Sequence, residues 1–262
     1  MSTPNAYLTD LFSLAGRTVV VTGGTGVLCG ALAEGCAKAG ASVVVAGSSA
    51  ERGGERVKAI EAAGGKAAFV PVDVVSRTSV EALLAETLKL FGRVDGLING
   101  AGVNSGSAYF DVKDEDWQRV ININLTGVHL GTQIFGKHMS ESGGGSIVNL
   151  GSVTSHLPLS RVFAYSASKA AVVNLTQNTA RELAPFGVRV NALCPGFFPA
   201  EQNRKILDAT RVDNIMRQTP AARFGEPDEL IGATLLLLAP KAGSFITGAA
   251  YYVDGGFTGM RF

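Results

Sequence analysis

The 262-residue sequence is poor in the features that mark several protein classes. It holds three cysteines, Cys29, Cys36 and Cys194. An odd number without metal-ligand spacing argues against a disulfide framework and against a zinc site. Prolines number only 9, so the chain is not a proline-rich disordered one. A formal net charge of +1 gives no electrostatic footprint for nucleic acid or an acidic membrane surface. Mean hydropathy is +0.23, yet no uninterrupted apolar stretch reaches the roughly 18–20 residues of a spanning helix. The apolar stretch near Leu230–Ala239 is about half that length and reads as a buried core helix. Met1-Ser2-Thr3-Pro4-Asn5 lacks the basic start and apolar core of a signal peptide. The expected compartment is the cytoplasm, with no membrane and no nucleic-acid partner.

Glycine is abundant: 33 residues, nearly twice the average share of about 7%. The glycines do not recur every third residue, which excludes collagen, and they cluster. Between the clusters, short β-branched runs alternate with helical patterns. Strands are expected at 17–22, 41–46, 67–72, 94–99, 146–150, 188–193 and 249–253. Helices are expected up to 38, then near 51–63, 79–91, 114–139, 164–184 and 227–239. Val19-Val20-Val21 and Val43-Val44-Val45 are apolar on both faces, as in strands buried between two helix layers. The βαβα order predicts an α/β protein: a single-domain Rossmann fold over 1–262, its doubly wound parallel β-sheet flanked by helices. The mixed-charge segment 199–223 is the candidate substrate lid.

The first glycine cluster runs Thr22-Gly23-Gly24-Thr25-Gly26-Val27-Leu28-Cys29-Gly30, between the first strand and the first helix of the βαβ pattern. A helix start there offers unpaired N–H groups and a positive dipole end to a pyrophosphate. Gly23, Thr25, Gly26, Val27 and Leu28 are therefore candidate cofactor contacts. The end of the second strand usually carries the selector between NAD and NADP: a carboxylate for the former, a nearby arginine for the latter. Here it reads Ala46-Gly47-Ser48-Ser49, with Ser48 as the candidate contact and Arg52 the nearest cation. Without a carboxylate to repel a phosphate, NAD or NADP are both open and the reading leans to NADP.

Tyr165-Ser166-Ala167-Ser168-Lys169 sets a phenol and an ammonium at i and i+4, on one helical face. A free phenol with a pKa near 10 is a poor base at neutral pH. A nearby ammonium is expected to lower that pKa, so that the tyrosine moves protons to and from an alcohol or carbonyl. Ser152, at the end of the fifth strand, is placed to hydrogen-bond the reacting oxygen.

With these residues the chain resembles the classical short-chain dehydrogenase/reductase family, from Gly16-Arg17 to Asp254-Gly255-Gly256. The matching pieces are Thr22-Gly23, Asp73-Val74, Asn99-Gly100-Ala101-Gly102, Asn124, Ser152, Tyr165-x-x-x-Lys169 and Pro195-Gly196. The resemblance implies a catalytic tetrad of Asn124, Ser152, Tyr165 and Lys169, with Tyr165 the acid/base and Asn124 anchoring a water. It implies that Lys169 holds the nicotinamide ribose, that Asp73 and Val74 lie by the adenine, and that Asn99, Ala101 and Gly102 line the cofactor cleft. Pro195, Gly196 and Phe198 would flank the nicotinamide. The family would carry glycine where this chain has Val27 and Cys29, and a Cys29 side chain is expected to crowd the helix start. Ala200 replaces a threonine that often holds the carboxamide. The resemblance also implies a homo-oligomer, a dimer or tetramer.

Within the family the chain resembles sugar-acid members, of the gluconate 5-dehydrogenase and D-mannonate oxidoreductase type, through Pro195-Gly196-Phe197-Phe198, Glu201-Gln202-Asn203-Arg204 and Leu159-Ser160-Arg161. A sugar acid carries a carboxylate, which suits an arginine. Arg161 and Arg204 are the candidates, and Asn104, His156 and Gln202 are candidates for its hydroxyls. Two alternatives are a 3-oxoacyl-thioester reductase and a non-catalytic, cofactor-sensing binding protein. His129 and His138 lack ligand partners and read as structural, so no metal is expected.

Overall fold

Seven runs rich in β-branched and small apolar residues build one sheet in the computed structural model, which describes residues 4–198 and 209–259. The strands are β1 (Thr18–Thr22), β2 (Ser42–Gly47), β3 (Lys66–Pro71), β4 (Gly96–Asn99), β5 (Gly145–Leu150), β6 (Val188–Pro195) and β7 (Ala250–Val253). Their order is β3-β2-β1-β4-β5-β6-β7, and every pairing is parallel. The doubly wound α/β expectation holds. Each expected strand lies within two residues of its observed bounds.

The apolar runs work because successive side chains leave a strand on opposite faces. Val19, Val21, Val43 and Val45 join one core with Leu32 and Cys36 of α2 (Val27–Lys38) and with Leu237 of the helix Ile231–Leu238. Val20, Val44 and Leu97 join the other, with Leu83 of α4 (Arg77–Phe91) and Phe135 of α6 (Gly127–Glu141). Each fully buried side chain of this kind contributes about 1.5–3 kcal/mol. Serines start two of the connecting helices. Ser49 caps α3 (Ala50–Ala62) and Ser76 caps α4, each accepting a backbone N–H.

Two elements depart from the sequence expectation. A nine-residue helix, α1 (Pro4–Phe12), precedes β1. Its residues are mostly exposed, so it has no strong apolar stripe to betray it. The region expected as one helix over 114–139 is α5 (Asp114–Ile121), a π-helical turn Asn122–Thr126, and α6. The wider turn carries the Gly127 N–H back to the Asn122 carbonyl and sets Asn124 fully inside. Such turns concentrate at functional sites. Among the described residues, no helix is long and apolar enough to cross a membrane.

The parallel sheet places all strand C-termini on one edge. β1 pairs with both β2 and β4, so the winding reverses between β1 and β4 and opens a crevice there.

Candidate active site

One wall of the crevice is built from backbone. Thr22 ends β1; its hydroxyl donates to the Ile98 carbonyl at 3.3 Å and accepts the Gly100 N–H at 3.1 Å. The chain then turns through Gly23 at φ +71. A Cβ on Gly23 would lie 2.7 Å from the Gly100 carbonyl oxygen and 2.8 Å from the Ala101 nitrogen. Only glycine fits both the left-handed backbone and the contact between the two loops. Gly26 precedes α2 in extended conformation with no side-chain cap, and no acidic residue stands in the first turn. The first N–H groups of α2 are therefore left without a capping side chain, at the positive end of a helix of 12 residues. This cradle fits a dinucleotide pyrophosphate. Thr25 covers Gly47, where a Cβ would meet its hydroxyl at 2.9 Å. Val27 is exposed and Leu28 is half-buried.

Cys29 does not crowd this helix start. Its side chain turns inward over Gly100, where a Cβ would lie only 2.2 Å from the sulfur, and it donates to the Gly100 carbonyl at 3.6 Å. Bulk added on α2 is matched by bulk missing on the facing loop.

Around the rest of the cleft, Ser48 is exposed at the end of β2, and Glu51 and Arg52 are both exposed in the first turn of α3. Asp73 is exposed after β3, its carboxylate accepting the Val75 N–H at 3.1 Å. Val74 packs against Gly127. Ala101 and Gly102 are half-buried, and a Cβ on Gly102 would meet Asn124 Oδ1 at 3.4 Å and Lys169 Nζ at 3.8 Å. Gly196 lies against the Asp254 backbone, and its N–H donates to the Val253 carbonyl at 2.9 Å. Two expectations are corrected. The Asn99 side chain turns away from the cleft and donates to Asn149 at 2.9 Å and Thr132 at 3.2 Å, at 3% exposure. Phe198 is also 3% exposed, its ring packed on Gly225 in the core. Pro195 is buried beside it at the end of β6.

The opposite wall is built from side chains. Ser152 follows β5, and its hydroxyl accepts the Thr154 N–H at 3.2 Å. Its hydroxyl lies beside Tyr165 and favours the ionised form of the phenol. Tyr165 lies in the first turn of α7 (Phe163–Leu183). Lys169, one turn on, is 4% exposed, donates to the Leu150 carbonyl at 2.7 Å and stands 5.6 Å from the Tyr165 ring centroid. Asn124 is held on every side: Oδ1 accepts the Val103 N–H at 2.8 Å, and Nδ2 donates to the Val103 carbonyl at 2.9 Å and to Ser168 at 3.1 Å. Its side chain thus fixes the loop after β4.

Burial dominates the electrostatics of the pair. Burial raises the Tyr165 phenol above its ordinary pKa, and the neighbouring Ser152 side chain pulls against it. Burial lowers Lys169 to about 8. Both shifts favour the uncharged form. Lys169, at about 8, still carries its charge at neutral pH, and the Ser152 side chain beside the phenol favours its ionised form.

Sequence reasoning missed two supports. Ser155 receives the Ser152 N–H at 3.1 Å and donates to the Lys169 carbonyl at 2.8 Å, joining the two turns. Ser168 donates to the Tyr165 carbonyl at 2.7 Å while receiving Asn124. The Ser152-x-x-Ser155 spacing, that of a capping pair, was the available signal for the first.

Of the substrate candidates, Asn104 is half-buried, with its amide oxygen accepting the Ser105 N–H at 2.8 Å, and His156 is exposed beside Tyr252. Arg161 is exposed at φ +69, and its carbonyl accepts the Ser107 N–H at 3.2 Å. The strained backbone and the cross-loop bond hold it just ahead of α7. Gln202, Arg204 and Ala200 lie outside the described residues, as does the first part of the 199–223 segment. Its far end is anchored: Ala221 N–H donates to the Gly255 carbonyl at 3.0 Å.

A family model described as enoyl-(acyl carrier protein) reductase matches residues 27–258. The chain is 41% identical to an uncharacterised oxidoreductase, UxuB, of Bacillus subtilis, over 94% of this chain and 96% of that one. It is 34% identical to a 5-keto-D-gluconate 5-reductase of Escherichia coli, over 95% and 98%. Among solved structures, a gluconate 5-dehydrogenase from Burkholderia cenocepacia in complex with NADP and tartrate superposes with a TM-score of 0.93 at 33% identity, covering 97% of this chain and 100% of that one. A D-mannonate oxidoreductase candidate from Haemophilus influenza with bound NAD superposes at 0.91 and 32% identity, covering 97% and 99%.

Proposed function

The chain belongs to the short-chain dehydrogenase/reductase family, and from that premise we propose that it is an NAD(P)-dependent oxidoreductase interconverting a secondary alcohol and a ketone on a sugar acid of the hexonate class. The observation that carries the chemistry is the Ser152 hydroxyl beside Tyr165, with Lys169 one helical turn on and 5.6 Å from the Tyr165 ring centroid, across the crevice from the open start of α2.

The nicotinamide cofactor supplies or takes the hydride when bound. The residues proposed to hold it are Gly23, Thr25, Gly26, Val27 and Leu28 at the pyrophosphate, Ser48 at the adenosine ribose, Asp73 and Val74 at the adenine, and Ala101, Gly102, Pro195 and Gly196 along the cleft. The absence of a carboxylate at Ser48 and the NADP carried by the Burkholderia relative support a lean to NADP; the NAD carried by the Haemophilus relative keeps both open. Ser152 holds the substrate oxygen, and Tyr165 Oη gives that oxygen a proton in reduction or takes one in oxidation. A phenol kept neutral by burial is ready to donate. Asn124 fixes the loop that shapes the cleft, and Lys169 holds the cofactor ribose.

Arg161 is the proposed anchor for the substrate carboxylate, with Asn104 and His156 toward its hydroxyls. The sugar-acid names of the E. coli and Burkholderia relatives support this. The test compares a hexonate, its uncharged polyol and an acetoacetyl thioester with each nicotinamide cofactor, alongside fluorescence titration of NADH and NADPH. The hexonate should have at least a tenfold advantage in kcat/KM, on the order of one charge-assisted contact. Equal turnover of hexonate and polyol overturns the carboxylate anchor, preference for the thioester favours the acyl reading, and binding without turnover favours a cofactor sensor.

The same reading includes a cytoplasmic homo-oligomer. Three free, buried cysteines support the first part, and the exposed rings of Phe110 and Phe245 support the second. Light scattering of the purified protein tests it.

A further inference from the structure

A chain of polar side chains runs through the core beneath the crevice. Asn149 is its hub, one residue before Leu150 on β5 and the register partner of Asn99 on β4. Its Oδ1 accepts from Asn99 Nδ2 at 2.9 Å and from the Thr132 hydroxyl of α6 at 3.4 Å. Its Nδ2 donates to the Thr176 hydroxyl of α7 at 2.9 Å, and that hydroxyl donates on to the Val172 carbonyl at 2.8 Å. None of the four side chains is more than 3% exposed. Each end of the chain leads to one wall of the crevice. Asn99 begins the loop whose Gly102 faces Lys169. Thr176 lies two turns beyond Lys169, about 10 Å along the same buried face of α7.

We propose that Thr176, held by Asn149, is a positioning residue for Tyr165 and Lys169, fixing the height of α7 along the sheet. The buried residues of α7 are Ala164, Ser168, Lys169, Val172, Thr176 and Ala180. None of them is a large apolar side chain whose fit into a hole would index the helix. Hydrogen bonds in a dry core are costly to break, and they do the indexing instead. Three of them lie at the site end of the helix: Lys169 to the Leu150 carbonyl, Ser155 to the Lys169 carbonyl, and Asn124 to Ser168. The Asn149–Thr176 bond holds the helix two turns further on. It also ties α7 to the cofactor wall, because the same Asn149 receives Asn99. Thr176 reaches the reacting atoms only through α7.

This inference rests on the oxidoreductase reading, and its test separates the two. Thr176→Val keeps the volume and removes the hydroxyl; Thr176→Ser keeps the hydroxyl and removes a methyl. Both should lower the Tm, the first by leaving Asn149 Nδ2 unpaired and the second by opening a small cavity. Only Thr176→Val should lower kcat, by roughly ten-fold, with the KM for a hexonate moving by less than about two-fold, because a displaced acid/base acts on the chemical step. Thr176→Ser should stay within about two-fold of the wild-type kcat. Wild-type kcat in Thr176→Val, or equal losses in the two variants, overturns the proposal. Adding Thr176→Val to Asn149→Leu should cost less than about 1.5-fold more, since the bond is already gone; a further loss of about ten-fold overturns the proposal. If Asn149→Leu does not fold, the Thr176 pair decides alone. Amide hydrogen exchange needs no turnover. Residues 163–172 should exchange faster in Thr176→Val than in Thr176→Ser, and equal rates overturn the proposal. Tyr165→Phe is run alongside. Full activity there sinks the oxidoreductase reading itself, whatever Thr176 does.

Discussion

The two walls of the crevice solve opposite problems. The turn after β1 works by what it leaves out: a side chain at Gly23, and a capping group at Gly26. The turn after β5 works by what it packs in, with Ser152, Ser155, Tyr165, Ser168, Lys169 and Asn124 all bonded to one another or to fixed carbonyls. The first wall can bind a phosphate through backbone groups only if nothing fills the cradle. The second can move a proton only if each polar group is held by the next. Substitutions should therefore hurt the first wall by adding atoms and the second by removing them, and the two should fail in different assays.

The sharpest break in this contrast comes from Tyr165→Phe. It removes one oxygen and no packing. Turnover should fall by about 10³-fold, within the range for loss of a general acid–base group, while nucleotide binding by fluorescence stays at the wild-type value. A matching loss of nucleotide affinity would merge the two walls into one unit. Gly23→Ala is the mirror experiment. The added Cβ meets the Gly100 carbonyl at 2.7 Å from a backbone at φ +71. Nucleotide affinity should drop by roughly 100-fold, with a loss of about 2–3 kcal/mol in stability seen by denaturant titration. Wild-type affinity in this variant would show that the close approach of the two loops is not needed for binding.

A subtler separation uses Lys169. Burial lowers it from 10.5 to about 8, so between those pH values the unfolded chain binds more protons than the native one. Stability of the wild type then rises with pH across this window, and the penalty for the buried charge is fully present below pH 8. Lys169→Met should stabilise the protein at pH 7 by about 2 kcal/mol, after allowing for the Leu150 carbonyl left without its donor. That gain should shrink as pH approaches 10.5, and turnover should be largely lost throughout. A destabilised Lys169→Met at pH 7 would mean that the hydrogen bond to Leu150 outweighs desolvation.

The contrast also explains what the sequence made legible. A wall that depends on missing side chains writes itself as residue type, so Gly23 and Gly26 could be read directly from a strand–glycine–helix pattern. The i, i+4 pair Tyr165 and Lys169 was legible for a similar reason, since helical spacing alone sets the face. What could not be read was direction. Asn99 and Phe198 lie at the rim in sequence, yet each turns inward because a distant residue receives it: Asn149 and Gly225. Burial was not legible either: the spacing gave the distance between phenol and ammonium but not the desolvation that raises the one and lowers the other. The π-helical turn at Asn124 uses residues that suit an α-helix equally well, so nothing in their pattern marked it.

The smallest expected effect concerns the one polar residue of the rim that stands in a glycine-like backbone. Arg161 sits at φ +69, where an L side chain costs about 1–2 kcal/mol, and its carbonyl is pinned by the Ser107 N–H. Arg161→Gly removes that strain but also loosens the unfolded chain by about 0.5–1 kcal/mol, so stability should stay level or rise by less than about 1 kcal/mol. The KM for a hexonate should rise about tenfold, and that for its uncharged polyol should not move. Such a split would place Arg161 with the second wall, as a group whose presence is used and whose strain is tolerated for that use. Loss of stability with an unchanged hexonate KM would instead make it a loop-fixing residue, held in its conformation by Ser107 for shape alone.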